Sequence, residues 1–160
     1  MKQKETTIEL IRESEMTALY SISFEKDGTT EFEKFVQTFE RDAELNTDYH
    51  RIIAALRAIL DQGALERFFR PEGRLNDHVG ALPLEGGRLR LYCLRISHQI
   101  IILGNGGIKT TRTYDEDRKL LGYVMDLQRF EKILNEEIRR GSIRIEEKML
   151  YGIDDIKLRI

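Results

Sequence analysis

Between residues 88 and 114 the sequence gathers Arg88, Arg90, Tyr92, Arg95, His98, Lys109, Arg112 and Tyr114, in a stretch that also reads as extended backbone. Cations fixed on strands can hold phosphates in register, and a tyrosine or histidine can stack on an unpaired base or move a proton. Metal-free RNA cleavage asks for these things: a base for the 2′-hydroxyl proton, an acid for the leaving 5′-oxygen, and positive charge around the crowded phosphorus. Each residue also has a plainer reading. Arginine and lysine on the open face of an antiparallel sheet are commonly just solvated, Tyr92 can cap a sheet edge, Tyr114 can pack beneath a following helix, and His98 falls in an exposed tight link.

Other chemistries fit less well. Gly104-Asn105-Gly106-Gly107-Ile108-Lys109-Thr110 has a glycine cluster with Lys-Thr behind it, but a phosphate-binding P-loop needs Gly-Lys-Ser/Thr without a break, and Ile108 intervenes. The three histidines, His50, His78 and His98, are far apart and Cys93 is the single cysteine, so neither zinc-ligand spacing nor an internal disulfide is available. No metal and no cofactor are therefore expected. Cys93 alternates with Leu91 and reads as inert core, and Asp115 with Asp117 reads as the acidic start of a helix, not as a glycosidase pair.

The elements that must position these residues follow from hydrophobic period. Tyr20, Ile22 and Phe24 alternate with Ser21 and Ser23, the pattern of a half-buried strand. Thr30 with Glu33 three residues on is a capping box, so a helix is expected with Phe32, Phe35, Val36 and Phe39 on one face. Asn46-Thr47-Asp48 offers a second N-cap ahead of Tyr49, Ile52, Ile53, Leu56, Ile59 and Leu60, and Gly63 ends that run. Residues 64–87, with two prolines and several glycines, read as an irregular connection with a short helical turn near Leu65–Phe69.

Arg88–Arg95 then alternates, with Leu89, Leu91 and Cys93 on one side and Arg88, Arg90 and Tyr92 on the other, so that one face is apolar and the other cationic. Ile100–Leu103 is a short apolar run suited to a strand buried on both faces. Asn105-Gly106 predicts a type I′ hairpin turn, with Ile108–Tyr114 as the returning strand. Asp115-Glu116-Asp117 opens a long helix through Leu120, Val124, Leu127, Leu134 and Ile138 to Gly141. The tail permits short strands at Ile143–Ile145 and Ile156–Ile160, and residues 1–17 leave strand and helix equally open.

The chain has 160 residues, 41% of them hydrophobic and 34% charged, which suits one globular domain and excludes a disordered chain. No stretch approaches the length of a membrane span, and Met1-Lys2-Gln3-Lys4-Glu5 has no apolar run behind it, so a cytoplasmic protein without membrane contact is expected. The net charge of −2 conceals a division: residues 1–50 carry 6 basic and 12 acidic side chains, residues 51–114 carry 10 and 5, and residues 115–160 carry 10 and 11. A basic middle third points toward a polyanionic partner.

With the order strand, helix, helix, strand, strand, strand, helix, the chain resembles the RelE/HigB superfamily of type II toxins, in particular its phage-derived HigB-like branch. The resemblance covers about residues 18–127. It is carried by Arg88-Leu-Arg-Leu-Tyr-Cys-Leu-Arg95, the apolar strand Ile100-Ile-Ile-Leu103, and Gly107-Ile-Lys-Thr-Thr-Arg-Thr-Tyr114 leading into a helix. Thr110 stands where the family carries a second lysine, Gly107 where it carries an aromatic residue, and Tyr114 or Asp115 where it carries proline.

The resemblance implies a RelE-like α+β fold: a small, mainly antiparallel sheet, two N-terminal helices on one face and a long helix after the last core strand. It divides the chain into an N-terminal extension (1–17), the toxin domain (18–141) and a C-terminal extension (142–160). It implies a metal-independent mRNA endonuclease, acting on free or ribosome-bound message and held in check by a cognate antitoxin protein that covers the basic face. By position, Lys109, Arg112, Tyr114 and His98 would be catalytic, and Arg88, Arg90, Tyr92 and Arg95 would bind RNA. Two alternatives stand beside it: a non-catalytic interaction module of the same fold from a phage or mobile element, and a ParE-like gyrase inhibitor.

Overall fold

The computed structural model describes residues 4–24, 28–72, 78–109, 118–155 and 157–160. The strands are β1 (Glu5–Glu13), β2 (Ala18–Phe24), β3 (Arg70–Pro71), β4 (Val79–Leu82), β5 (Leu89–Arg95), β6 (Ile100–Ile108), β7 (Arg144–Glu146), β8 (Met149–Tyr151) and β9 (Leu158–Arg159). The helices are α1 (Glu31–Phe39), α2 (Asn46–Gln62) and α3 (Arg118–Arg140). Seven strands form one sheet in the order β3-β4-β5-β6-β2-β1-β9, and β7 and β8 form a separate hairpin. The large sheet is antiparallel except where Ala18–Ser21 of β2 runs parallel to Ile100–Leu103 of β6. Among the described residues, no helix is long and apolar enough to cross a membrane.

Alternation along β6 explains why helices cover both faces. Ile101 and Leu103 join Leu89, Leu91 and Cys93 against α1 and α2, where Phe35, Ile52 and Ile59 are fully buried. Ile100 and Ile102 point the other way and join Tyr20, Tyr92 and Leu94 against Val124, Leu127 and Phe130 of α3. A run with no polar member can be buried only if both its faces are covered, and one helical layer on each side supplies that cover.

Local signals account for most helix ends. Thr30 accepts the Glu33 N–H at 3.1 Å and starts α1, whose Phe35 and Phe39 rings pack 5.1 Å apart. α2 begins slightly earlier than its expected cap: Leu45 holds the N-cap position without a side-chain bond, and Asp42 Oδ1 instead accepts from the N–H groups of Glu44 and Leu45. Gly63, at φ +97°, ends the helix with its N–H on the Ile59 carbonyl. α3 is described from Arg118 onward; its expected acidic start at residues 115–117 lies outside the described residues.

Two sequence expectations are corrected. Gly104-Asn105-Gly106-Gly107 is not a hairpin turn: β6 runs straight through it to Ile108. Leu91 faces Gly106 and Cys93 faces Leu103, so β6 carries a bulge there. Gly106 is required for close approach, because a Cβ built on it would lie 1.8 Å from the Arg90 carbonyl oxygen. The irregular connection, for its part, holds β3 and β4, which widen the sheet beyond β5. Residues 4–13 and 158–160 are also woven into the sheet, with β1 along β2 and β9 along β1. Short apolar runs broken by glycine and proline hide short strands such as β3 and β4, since partner strands, not local period, decide their pairing.

Gly106 and Gly122 therefore respond differently to alanine. Gly106→Ala should lower unfolding stability by about 1–3 kcal/mol, as forced overpacking against backbone does. Gly122→Ala, in α3 with nothing within 4 Å of the place its methyl would take, should be neutral or stabilising. Urea midpoints of the two variants check this.

Candidate functional site

The turn entering β5 is braced from two sides. Asp48, in the first turn of α2, accepts the Arg88 N–H at 2.8 Å, and Gly86 and Gly87 adopt the left-handed backbone that lets the chain reverse there. Arg90 sends Nη1 back to the carbonyls of Gly86, Gly87 and Leu89 at 3.3, 2.9 and 3.1 Å. On the next strands, Arg70 donates Nε and Nη2 to the Leu84 carbonyl at 3.1 and 2.9 Å.

Register then brings charged groups onto one face. Arg70 pairs with Ala81 and Ala81 with Tyr92, and directly opposed residues share a face. Glu72 and Arg90 stand two residues from Arg70 and Tyr92, so their side chains point the same way. Lys109, whose N–H continues the ladder onto the Arg88 carbonyl at 2.7 Å, closes the group from the end of β6. Its ammonium lies 3.9 Å from Glu72 Oε1, with both side chains at least nine-tenths buried. Among the described residues, Arg70, Arg90 and Lys109 thus surround one carboxylate.

One of these groups lacks a bond that burial normally demands. Arg90 is only 6% exposed, and among the described residues its Nε has no hydrogen-bond partner. At 3.9 Å the Lys109–Glu72 contact is an ion pair too long for a hydrogen bond. Burial pushes the Glu72 carboxyl above its ordinary range, against the opposing pull of Lys109, Arg70 and Arg90. Burial, with Arg70 nearby, lowers the Arg90 guanidinium, while Tyr92, Glu72 and Asp48 favour its charge. A corner with a spare buried donor and excess positive charge is suited to an oxyanion.

The structure separates the residues that sequence reasoning groups. Arg90, Tyr92 and Lys109 come together in this corner, but Tyr92 is not on an open face: it is completely buried, packed against α3. Arg88 is exposed beside it. Arg95 lies at the other end of β5 and toward α2, with Nε on the Ala64 carbonyl at 2.6 Å and Nη1 3.6 Å from Glu66. There it lines a separate cleft of about 290 Å³ with Phe69, His78 and Val79. His98 is exposed in the link between β5 and β6, the whole length of β6 from Lys109.

Arg112 and Tyr114 lie outside the described residues. Cys93 is buried and its thiol is raised far above the usual range, which makes it inert. Among the described residues no three metal-ligating side chains come together. Sequence reasoning does not find Glu72 and Arg70; the only signal is that residues 64–87 hold charges without period, and strand pairing alone gives them a place.

No protein-family profile, curated protein or solved structure matches this chain.

An upward shift means that folding favours the neutral Glu72 even with its cations in place. In the unfolded chain it titrates near its ordinary value of 4.5, so the folded protein loses stability as pH rises from there through the higher folded value. Glu72→Gln should accordingly unfold at a higher denaturant midpoint than wild type at pH 8, with the gap closing as pH falls to 4.5. Chemical denaturation across that pH range reads the difference.

Proposed function

We propose that this chain is the toxin of a type II toxin–antitoxin pair, a RelE/HigB-like metal-independent mRNA endonuclease. The observation that supports this reading most is a pair of neighbouring buried cations, Arg90, whose Nε has no partner among the described residues, and Lys109, in a long ion pair with Glu72. A phosphodiester is the common polyanion whose oxygens would satisfy both, and the developing charge on its phosphorus is what such donors stabilise in a transition state. The sequence resemblance gives Lys109 this role and Arg90 a contact to RNA. Arg112 and Tyr114, which lie just beyond Lys109 in the chain, are the sequence candidates for further charge and for proton transfer. Arg88, exposed beside the corner, would meet the backbone of the same RNA.

In this reading the antitoxin covers the corner and Arg88, competing with mRNA for the same charges, and cleavage occurs on free or ribosome-bound message in the cytoplasm. A second reading, a partner-binding module of the same fold without catalysis, is favoured by one observation: Tyr92 is sealed beneath α3 and Arg90 commits Nη1 to three backbone carbonyls, both structural duties.

Induced expression separates the two. Wild type should arrest growth and shorten transcripts, while Lys109→Ala, Arg112→Ala and Tyr114→Phe should each relieve the arrest and leave messages whole. Arg140→Ala, exposed at the far end of α3, should behave as wild type. Harmless wild-type expression with intact transcripts would reject the endonuclease and leave the interaction module.

A further inference from the structure

At the end of β5 away from the charged corner, the cleft of about 290 Å³ is lined by Arg95, Glu66, Phe69, Pro71, His78 and Val79. Its volume lies near the lower end of the range for small-molecule pockets, about 300–1,000 Å³. The ladder that pairs Val79 with Leu94 continues one step, so that the Arg95 N–H donates to the His78 carbonyl at 3.0 Å and the two residues stand opposite each other. Both side chains are held by groups that do not line the cleft. Glu131 of α3 binds His78 Nδ1, and the Ala64 carbonyl accepts from Arg95 Nε at 2.6 Å. The guanidinium is thereby fixed at its Nε edge. At its other end Nη1 lies 3.6 Å from Glu66 Oε1, and the Glu66 side chain is 86% exposed. An ion pair so long and so open contributes little, and its carboxylate can turn out to solvent at small cost.

We propose that this cleft is a binding site for a small organic carboxylate. Its carboxyl group takes the place of Glu66 beside Arg95, and its apolar body lies against Phe69, Pro71 and Val79. The planar fork of an arginine matches the two oxygens of a carboxylate, and a fork already held in place loses little freedom on binding. Charge balance selects a single negative charge. The charged groups that line the cleft or hold its lining are Arg95, Glu66 and, behind His78, Glu131. A monoanion that displaces Glu66 leaves their balance as it was, whereas a dianionic phosphate adds negative charge near Glu131. The cleft and the Lys109 corner lie at opposite ends of β5, so this site does not depend on the endonuclease reading.

The full chain is titrated with phenylacetate, phenylacetamide and phenyl phosphate at constant ionic strength, and binding is read from backbone amide NMR signals. Phenylacetate, with about ten non-hydrogen atoms, should saturate with a Kd of about 1 mM or tighter. It should move the signals of Phe69, Val79 and Arg95 and leave that of Lys109 in place. Phenylacetamide has nearly the same shape without the charge and should bind about tenfold more weakly or worse, as loss of a charge-assisted bond does. Arg95→Lys keeps the charge but not the fork and should weaken phenylacetate about tenfold. Because that change also gives up the bond to Ala64, the decisive variant is Glu66→Gln, at an exposed side chain. It removes the competing carboxylate and should tighten phenylacetate about threefold.

Equal affinity for phenylacetamide means an apolar groove that does not read charge, and overturns the proposal. Tighter binding of phenyl phosphate overturns the carboxylate assignment. Unchanged affinity in Glu66→Gln means that the ligand does not take that side chain's place, and absence of saturation by about 20 mM phenylacetate rejects the site.

Discussion

Everything in this fold hangs on the parallel pairing of β2 with β6. Those two strands come from distant parts of the chain, and Ile100–Leu103 between β5 and β2 is buried on both faces. A parallel neighbour cannot be reached by a tight turn, so the chain between them must travel, and α1, α2 and the β3-β4-β5 meander are that journey. Covering both faces of one apolar strand then assigns α1 and α2 to one side and α3 to the other. β1 and β9 extend the sheet on the far side of β2, where Lys4 and Ile160 exchange backbone hydrogen bonds.

The bulge in β6 converts that rigid centre into a place where charge can collect. Up to Leu103 the strand follows β2; beyond it the extra residue and three glycines bend it away while it keeps its ladder with β5 as far as Arg88. Gly106 cannot carry a side chain because the Arg90 carbonyl lies against it, and that same proximity holds Arg90 beside the end of β6. Lys109 is thereby delivered to the corner where Glu72 and Arg70 arrive from the β3 edge of the sheet.

Charge held in such a corner is costly in folding terms. Desolvation dominates the proton affinities of both Glu72 and Arg90, outweighing the attraction between them. The apolar layers on both faces stabilise the molecule enough to tolerate this, in the way that functional sites commonly oppose stability. By contrast Asp126, also buried, is bonded by Lys4 at 3.0 Å and approached by Arg129, an arrangement whose groups are satisfied within the fold. The buried Arg90 Nε, without a partner among the described residues, is what distinguishes the β5–β6 corner from that arrangement.

Sequence alone determined the pieces with strong local codes. The β2 alternation, the Thr30 cap, the apolar stripes of α1, α2 and α3, and the doubly buried Ile100–Leu103 run were legible because hydrophobic period and capping chemistry are properties of neighbouring residues. So were Arg90 and Lys109 as cations of interest. Tertiary structure decided the rest. Asn105-Gly106 is a hairpin signal by composition, yet the β5 partner keeps it extended. Arg90 and Tyr92 alternate as an exposed face would, yet both are buried, Tyr92 against α3. Arg95 and His98 share the segment with Lys109, but strands separate their ends by their own length. Glu72, in a stretch with no period, meets Lys109 only because β3, β4, β5 and β6 lie side by side: contact across a sheet depends on register and strand order, which no local window contains.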